Sequence, residues 1–361
     1  MIVEGVSLRG VVCAVPGTPQ SVEQLGADVF SPEELEKISK SVGLKQLYRV
    51  ADSQTAGDLC VAAARRLLQR VEWAPESIDG VLMVTQSPDC FLPATSCLVH
   101  GQLGLGPHCL AFDIGMGCSG YVYGLLVAGQ MIASGACKRV LLLAGDTISP
   151  TLDPNDKSTA VLFGDAGSAT ALEAQPAAAR MSFVLGTDGS GAHNLIIRGG
   201  GFRNRHTARP QAGGVEREAD TLPHLFMDGL AVFDFALQRV PQLVSETISL
   251  HGWQPAEVDY FLFHQANAFM LHTVAKRLRI PAERMPINIG KYGNTSMASI
   301  PLLMADDLST RLCAPEVVNT VLAGFGVGFS WAAAATSLGG LRVAEVVCLP
   351  EKERCCTTPS I

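Results

Sequence analysis

Phe112-Asp113-Ile114-Gly115-Met116-Gly117-Cys118-Ser119-Gly120 reads as a strand end, a glycine-rich turn and the start of a helix. The stretch that follows, Gly120 to Ser134, is apolar on nearly every side, which predicts a buried central helix. Working outward, the same order of elements returns about half a chain length later. Pro75-Glu76-Ser77-Ile78-Asp79 leads into the apolar run Gly80 to Val84, and Pro255-Ala256-Glu257-Val258-Asp259 leads into Tyr260 to Phe263. Ile287-Asn288-Ile289-Gly290 repeats the turn of Phe112 to Gly115 before another apolar helix, and Val318 to Gly324 answers Val140 to Gly145. Any α/β protein repeats strand-turn-helix units, but a near-constant offset favours an internal duplication.

The helical patterns between these strands complete the fold reading. Ser53 to Arg70 puts Ala56, Leu59, Cys60, Ala63 and Leu67 on one face. Asp228 to Leu250 is a long amphipathic pattern interrupted by Pro241, and Leu271 to Leu278 is a shorter one ending before Pro281. Strands alternating with helices predict parallel-type sheets covered on both faces. Two such halves with buried helices between them give an α/β fold, a five-layer α-β-α-β-α sandwich. The halves are expected at 1–175 and 176–348, the first carrying Cys118 and the second His264 and Asn294. Residues 349–361 read as a polar tail, and Gly199 to Ala219, rich in Gly, Arg and Gln, as a mobile surface excursion.

Composition excludes several functions. Of the 361 residues, 48% are hydrophobic and 17% charged, which excludes a disordered chain. A net charge of −7 gives no electrostatic support for nucleic-acid binding. The first ten residues lack the pattern of a signal peptide, and no uninterrupted apolar run spans a bilayer. Eleven cysteines at irregular spacing, with no CxxC pair, read as thiols of a reducing cytosol and not as disulfides or a zinc site. A cytoplasmic protein without a metal is expected.

Four short motifs carry candidate chemistry. Cys118 falls where a helix begins, a place where unpaired backbone N–H groups favour a thiolate. It is either a nucleophile or one more buried thiol. His264, in Phe263-His264-Gln265-Ala266-Asn267, leaves a strand for a polar turn and is either a cleft residue or a structural histidine. Asn294, in Tyr292-Gly293-Asn294-Thr295-Ser296, is either a site residue or a helix cap. Gly324-Phe325-Gly326-Val327-Gly328 lacks the third glycine and the acidic partner of a dinucleotide site, and reads as a backbone-exposing turn.

Together with Phe163-Gly164-Asp165-Ala166-Gly167, these motifs resemble the β-ketoacyl-acyl carrier protein synthase III family of thiolase-like condensing enzymes, in family order from about Val3 to Leu338. The resemblance implies that Cys118 accepts an acyl group from a thioester and that His264 and Asn294 complete a triad. A malonyl thioester would then lose CO₂, and its enolate, held by hydrogen bonds donated by His264 and Asn294, would attack the acyl-Cys118 carbonyl. The Cys118 N–H and the turn Gly326, Val327 and Gly328 would supply an oxyanion site. No cofactor is required beyond coenzyme A or phosphopantetheine thioesters as substrates. The implied partners are an acyl carrier protein, an acyl-coenzyme A or carrier-bound acyl donor, and a second copy of the chain. That copy would pair through Cys109 to Asp113, with Phe91 reaching the partner's acyl pocket beside Phe325.

The chain departs from the family at the donor and carrier contacts. Lys37 and Ser41 stand where the family's coenzyme A clamp has Trp and Arg, and Lys157 replaces a second Arg. Phe269 stands in place of a carrier-binding Arg, while Lys276, Arg277, Arg279 and Arg284 follow close by. A non-condensing acyltransferase forming an ester or amide is the alternative, and the presence of Asn294 favours condensation.

Overall fold

The computed structural model describes residues 1–204 and 224–350. Most of the surface excursion expected at Gly199 to Ala219, and the tail from residue 351, lie outside the described residues. Two principal sheets carry the architecture. One has six strands in the order Val343–Leu349, Val6–Pro16, Ala166–Ala174, Arg139–Asp146, Gly80–Val84, Leu110–Ile114. The other has five, in the order Ile2–Val3, Met181–Thr187, Ser330–Leu338, Val318–Gly326, Tyr260–Phe263.

The expectation of parallel sheets needs correcting, because both are mixed. Gly80–Val84 runs parallel to both its neighbours, and Tyr260–Phe263 runs parallel to Val318–Gly326. The remaining pairings are antiparallel apart from Val343–Leu349 with Val6–Pro16. The cause is local: only residues 327–329 join Val318–Gly326 to Ser330–Leu338, far too few for a crossover.

The duplication is visible in single residues. Asp79 accepts the N–H groups of Lys138 and Arg139 at 2.7 and 2.9 Å, and its own N–H donates to the Arg139 carbonyl. Asp259 does the same in the other half, accepting the Asn319 N–H at 2.8 Å and donating to the Asn319 carbonyl. Each aspartate fixes the start of the neighbouring strand. The expected division near residue 175 is crossed twice: Ile2–Val3 pairs into the second half's sheet, and Val343–Leu349 into the first's. Leu349, read as the first residue of the tail, is thus the last residue of a strand.

Helices fill three layers. Ala56–Val71 and Thr95–Leu103 pack an apolar cluster against the outer face of the six-stranded sheet. Gly229–His251 and Ala268–Leu278 do so on the outer face of the five-stranded sheet. Between the sheets lie Gly120–Ala133 and the stretch Ser296–Cys313, whose residues share one large core cluster with both sheets. This is the α-β-α-β-α sandwich, a thiolase fold.

Two helices differ from the sequence expectation. The apolar helix after Asn294 is broken into a 3-10 turn, a short α turn and a π turn before Ser309–Cys313, around Pro301, which has no N–H to donate. Gly229–His251, by contrast, continues through Pro241. Pro241 leaves the Leu237 carbonyl without its helical donor, and Arg277 Nη1 fills that place at 2.7 Å.

Candidate active site

Cys118 is delivered by the turn between Leu110–Ile114 and Gly120–Ala133, and is buried. Glycine in the facing Val318–Gly326 strand lets the two segments close up. A Cβ on Gly326 would lie 2.9 Å from both Cβ and Sγ of Cys118, and one on Gly324 would lie 2.6 Å from the Cys118 carbonyl oxygen. The contact is locked by Ser119 Oγ, 2.7 Å from Ser330 Oγ, whose hydroxyl donates to the Val327 carbonyl at 2.8 Å. The backbone N–H groups of Val327 and of Cys118 itself both act on the sulfur. Val327 is not among the residues of positive φ, so its N–H keeps the geometry of an ordinary donor.

The helix terminus does not make Cys118 a resting thiolate, as the sequence suggested. Burial pushes the thiol up to about 11, although the Ser296 hydroxyl and the two amides pull the other way. The helix itself begins at Gly120, capped at Ser119, one residue beyond the sulfur.

His264 follows the Tyr260–Phe263 strand and is 1% exposed. Its Nδ1 lies 3.1 Å from the Ser296 carbonyl oxygen and 2.9 Å from Ser299 Oγ. A carbonyl only accepts, so Nδ1 carries the proton and Nε2 of the neutral ring is an acceptor. Burial lowers the imidazole to about 4, against the Ser296 carbonyl, which raises it. Neutral His264 therefore does not present a donor from Nε2, unlike the sequence expectation. Phe325, expected in the acyl pocket, packs edge-on to this imidazole, with ring centroids 5.7 Å apart.

Asn294 is positioned by the Phe163-Gly164-Asp165-Ala166-Gly167 motif. Phe163 bridges to it, Gly164 N–H donates to its carbonyl, and Leu162 carbonyl accepts its N–H. A side chain on Gly164 would meet the Tyr292 carbonyl oxygen at 2.1 Å. Asp165, buried, anchors that segment by accepting from the N–H groups of Val50 and Ser149. The Asn294 Oδ1 accepts the Ser296 N–H at 3.0 Å, which leaves its amide NH₂ as the available donor.

Ser296 is the residue that sequence reasoning passed over. It touches all three: its hydroxyl oxygen is 3.9 Å from Cys118 Sγ, its N–H holds Asn294, and its carbonyl holds His264. It does so at φ +51°, a left-handed conformation uncommon outside glycine. Only its place beside Asn294 in the motif hinted at this.

The remaining candidates are dispersed. Phe91 is 70% exposed and packs edge-on against Phe202, with centroids 5.7 Å apart. Lys157 binds Glu34 at 2.8 Å and lies over the Phe30 ring. Lys37 is exposed on the helix Pro32–Val42. Phe269 is exposed and stacks on Phe233. Lys276 and Arg279 are exposed, whereas Arg277 is committed to the Leu237 carbonyl and Arg284 to the carbonyls of Ala256 and Val258. Among the described residues, no cluster of His, Cys, Asp or Glu could hold a metal, and no helix is long and apolar enough to cross a membrane.

A thiolase fold that gathers cysteine, histidine and asparagine around one serine defines a class of acyl-transferring enzymes, and comparison with known proteins narrows it. Residues 112–189 match 3-Oxoacyl-[acyl-carrier-protein (ACP)] synthase III, and residues 248–338 match the C-terminal region of the same family. A β-ketoacyl-[acyl-carrier-protein] synthase III of Alkalilimnicola ehrlichii is 35% identical over 300 residues, 83% of this chain and 89% of that one. One from Streptomyces coelicolor is 37% identical over 303 residues, 83% of this chain and 88% of its own. The crystal structure of a 3-oxoacyl-(acyl-carrier protein) synthase from Burkholderia xenovorans superposes with a TM-score of 0.91 at 42% identity, covering 97% of this chain and 98% of that one. The chain belongs to the β-ketoacyl-acyl carrier protein synthase III family.

Proposed function

We propose that the chain transfers an acyl group from a thioester to Cys118 and joins it to a malonyl thioester with loss of CO₂. The observation that carries this reading is Ser296, which holds the thiol, the imidazole and the amide of the three candidate residues within one buried site. The Cys118 and Val327 N–H groups are suited to receive the oxyanion formed when sulfur attacks the thioester carbonyl.

The condensation half uses the other two side chains. An anionic malonyl group entering a buried site raises the pKa of His264, so Nε2 takes a proton that it refuses in the free enzyme. As CO₂ departs, the charge moves to the thioester oxygen, where Nε2–H and the Asn294 amide donate to it. The enolate carbon attacks the acyl-Cys118 carbonyl, and the expelled thiolate takes the proton from Nε2. The scheme consumes one proton per CO₂ released. It needs no metal or redox cofactor, only coenzyme A or phosphopantetheine thioesters as substrates. Ester or amide formation would not need the Asn294 donor.

The extender is proposed to arrive on an acyl carrier protein, in fatty-acid or specialised acyl-chain synthesis. Lys276 and Arg279 are the basic groups available to an acidic partner, with exposed Phe269 beside them as an apolar anchor. Lys37 and Lys157 remain the candidates for the donor's phosphates, Lys157 only after release from Glu34. A homodimer is proposed through Leu110–Ile114, an edge strand that leaves Leu110 49% and Phe112 37% exposed. Phe91, which packs edge-on against Phe202 within one copy, is the residue proposed to reach the second. The reading is tested by acylating the protein with a small thioester and asking whether a malonyl thioester discharges it.

A further inference from the structure

We propose that Asp146 accepts the proton of the Cys118 thiol through the hydroxyl of Ser296. The inference deepens the functional reading and rests on Cys118 being the acyl acceptor.

Asp146 ends the Arg139–Asp146 strand and is 1% exposed. Its two carboxyl oxygens are treated differently. Oδ1 accepts the Gln86 N–H at 2.7 Å and the hydroxyls of Thr85 and Ser87 at 3.1 and 3.3 Å. Oδ2 is buried and, among the described residues, has no hydrogen-bond partner. The Ser296 hydroxyl is nevertheless close enough to the carboxyl to stabilise its charge. The same hydroxyl oxygen is 3.9 Å from Cys118 Sγ. Ser296 thus stands between a buried thiol and a buried carboxyl with an uncommitted oxygen, and its φ of +51° is what places it there.

The electrostatics fit a shared proton. Among the described residues, the titratable groups that interact with Asp146 are two thiols, Cys118 from the nucleophile turn and Cys60 from the Ala56–Val71 helix, and its charge raises both. Its other neighbours are neutral donors: Thr85, Gln86 and Ser87 beyond the Gly80–Val84 strand, and Ser296. With no cation among the described residues to hold it ionised, burial raises the carboxyl to about 6, within reach of a base working near neutrality. His264, lowered to about 4 and committed through Nδ1 to Ser296, is the poorer acceptor.

The step balances as follows. The Cys118 proton passes to Ser296 Oγ while the Ser296 hydroxyl proton passes to Asp146 Oδ2. The sulfur pair forms the S–C bond, and the carbonyl pair moves to the oxygen. Collapse of the oxyanion expels the donor's thiolate, which recovers the proton from Asp146 along the same path. Asp146 acts through Ser296 and is a positioning residue; of the two, it is Ser296 that meets the reacting sulfur.

The test is the pH dependence of Cys118 acylation by acetyl-coenzyme A, followed by rapid quench and intact mass, in wild type, Asp146→Asn and Ser296→Ala. The wild-type rate should fall as pH drops through about 6, where the carboxyl protonates. Both variants should be slower by about 10²-fold near neutrality and should lose that break, their rates rising only in the alkaline range as the thiol itself ionises. A wild-type rate in either variant, or a slower variant that keeps the break, overturns the proposal. If Asp146→Asn does not fold, Ser296→Ala, which leaves the backbone contacts to His264 and Asn294 in place, decides alone. If wild-type Cys118 takes an acyl group neither from acetyl-coenzyme A nor from any of a panel of longer and branched acyl thioesters, the functional reading fails instead. Alkylation of Cys118 by iodoacetamide over the same pH range then tests Asp146 separately, by the same presence or loss of the break.

Discussion

At the scale of single residues, the proposed division of work is between a sulfur that must lose its proton for acylation and two side chains that donate hydrogen bonds during condensation. Cys118→Ala should abolish acyl-enzyme formation. His264→Ala and Asn294→Ala should still acylate, because the donors proposed for the oxyanion are the backbone N–H groups of Cys118 and Val327, not these side chains. Both should lose malonyl decarboxylation by about 10²–10³-fold, the typical effect of removing one donor from developing charge. Intact mass checks the first half of this expectation and CO₂ release the second. A His264→Ala enzyme unable to acylate would make the imidazole, and not Asp146, the base for the thiol. The sequence placed Cys118, His264 and Asn294 at turns, and the resemblance to the family, not the local pattern, grouped them as a candidate triad. Ser296, Ser299 and Asp146 were not legible, because their partners are distant along the chain: Ser296 and Cys118 are 178 residues apart. The resting state of the thiol was illegible for a similar reason. Sequence shows the helix start, and only packing shows how much water burial removes.

At the scale of elements, the glycines of the Val318–Gly326 strand set how closely the second sheet approaches the nucleophile turn. Gly326→Ala would add a methyl 2.9 Å from Cys118 Sγ, too near for the sulfur to stay in place. Overpacking of this kind costs about 1–3 kcal/mol. The variant should fold with a lowered melting temperature and acylate far more slowly than wild type. Unchanged acylation would show that the sulfur can move without consequence. Pro241 and Arg277 illustrate another element-level effect. The proline was read as an interruption and the arginine as a carrier contact. The helix persists because the guanidinium replaces the missing N–H at the Leu237 carbonyl. Neither pattern nor composition couples two residues on different helices. The strands in the repeated motifs were legible because the duplicated aspartates Asp79 and Asp259 mark their starts. The π turn at Leu303–Asp307 and the exchanged end strands followed from tertiary packing alone.

At the scale of the whole molecule, two surfaces complete the account. The edge strand Leu110–Ile114 presents unpaired backbone and apolar side chains, a combination that calls for a partner. Phe112→Lys should convert a dimer to monomer in light scattering at micromolar concentration, and a wild-type monomer would refute the interface. The other is the proposed docking surface, where Lys276 and Arg279 are exposed on a chain whose net charge is −7. Lys276→Glu with Arg279→Glu should raise the KM for malonyl-carrier substrate, most clearly at low salt, and leave acylation by a small thioester unchanged. Equal loss of both activities would mean damage to the fold, and unchanged carrier kinetics would move the docking surface elsewhere.

The central claim is that one cysteine first carries the acyl group and then surrenders it to a decarboxylated extender. Intact-mass spectrometry of the protein exposed to a panel of acyl thioesters tests it most directly. A single acyl adduct is expected that maps to Cys118, is absent in Cys118→Ala, and disappears on adding malonyl-carrier with release of CO₂ and a 3-oxoacyl product. An adduct on another residue, or one on Cys118 that a malonyl thioester leaves in place while an alcohol or amine removes it, would contradict it.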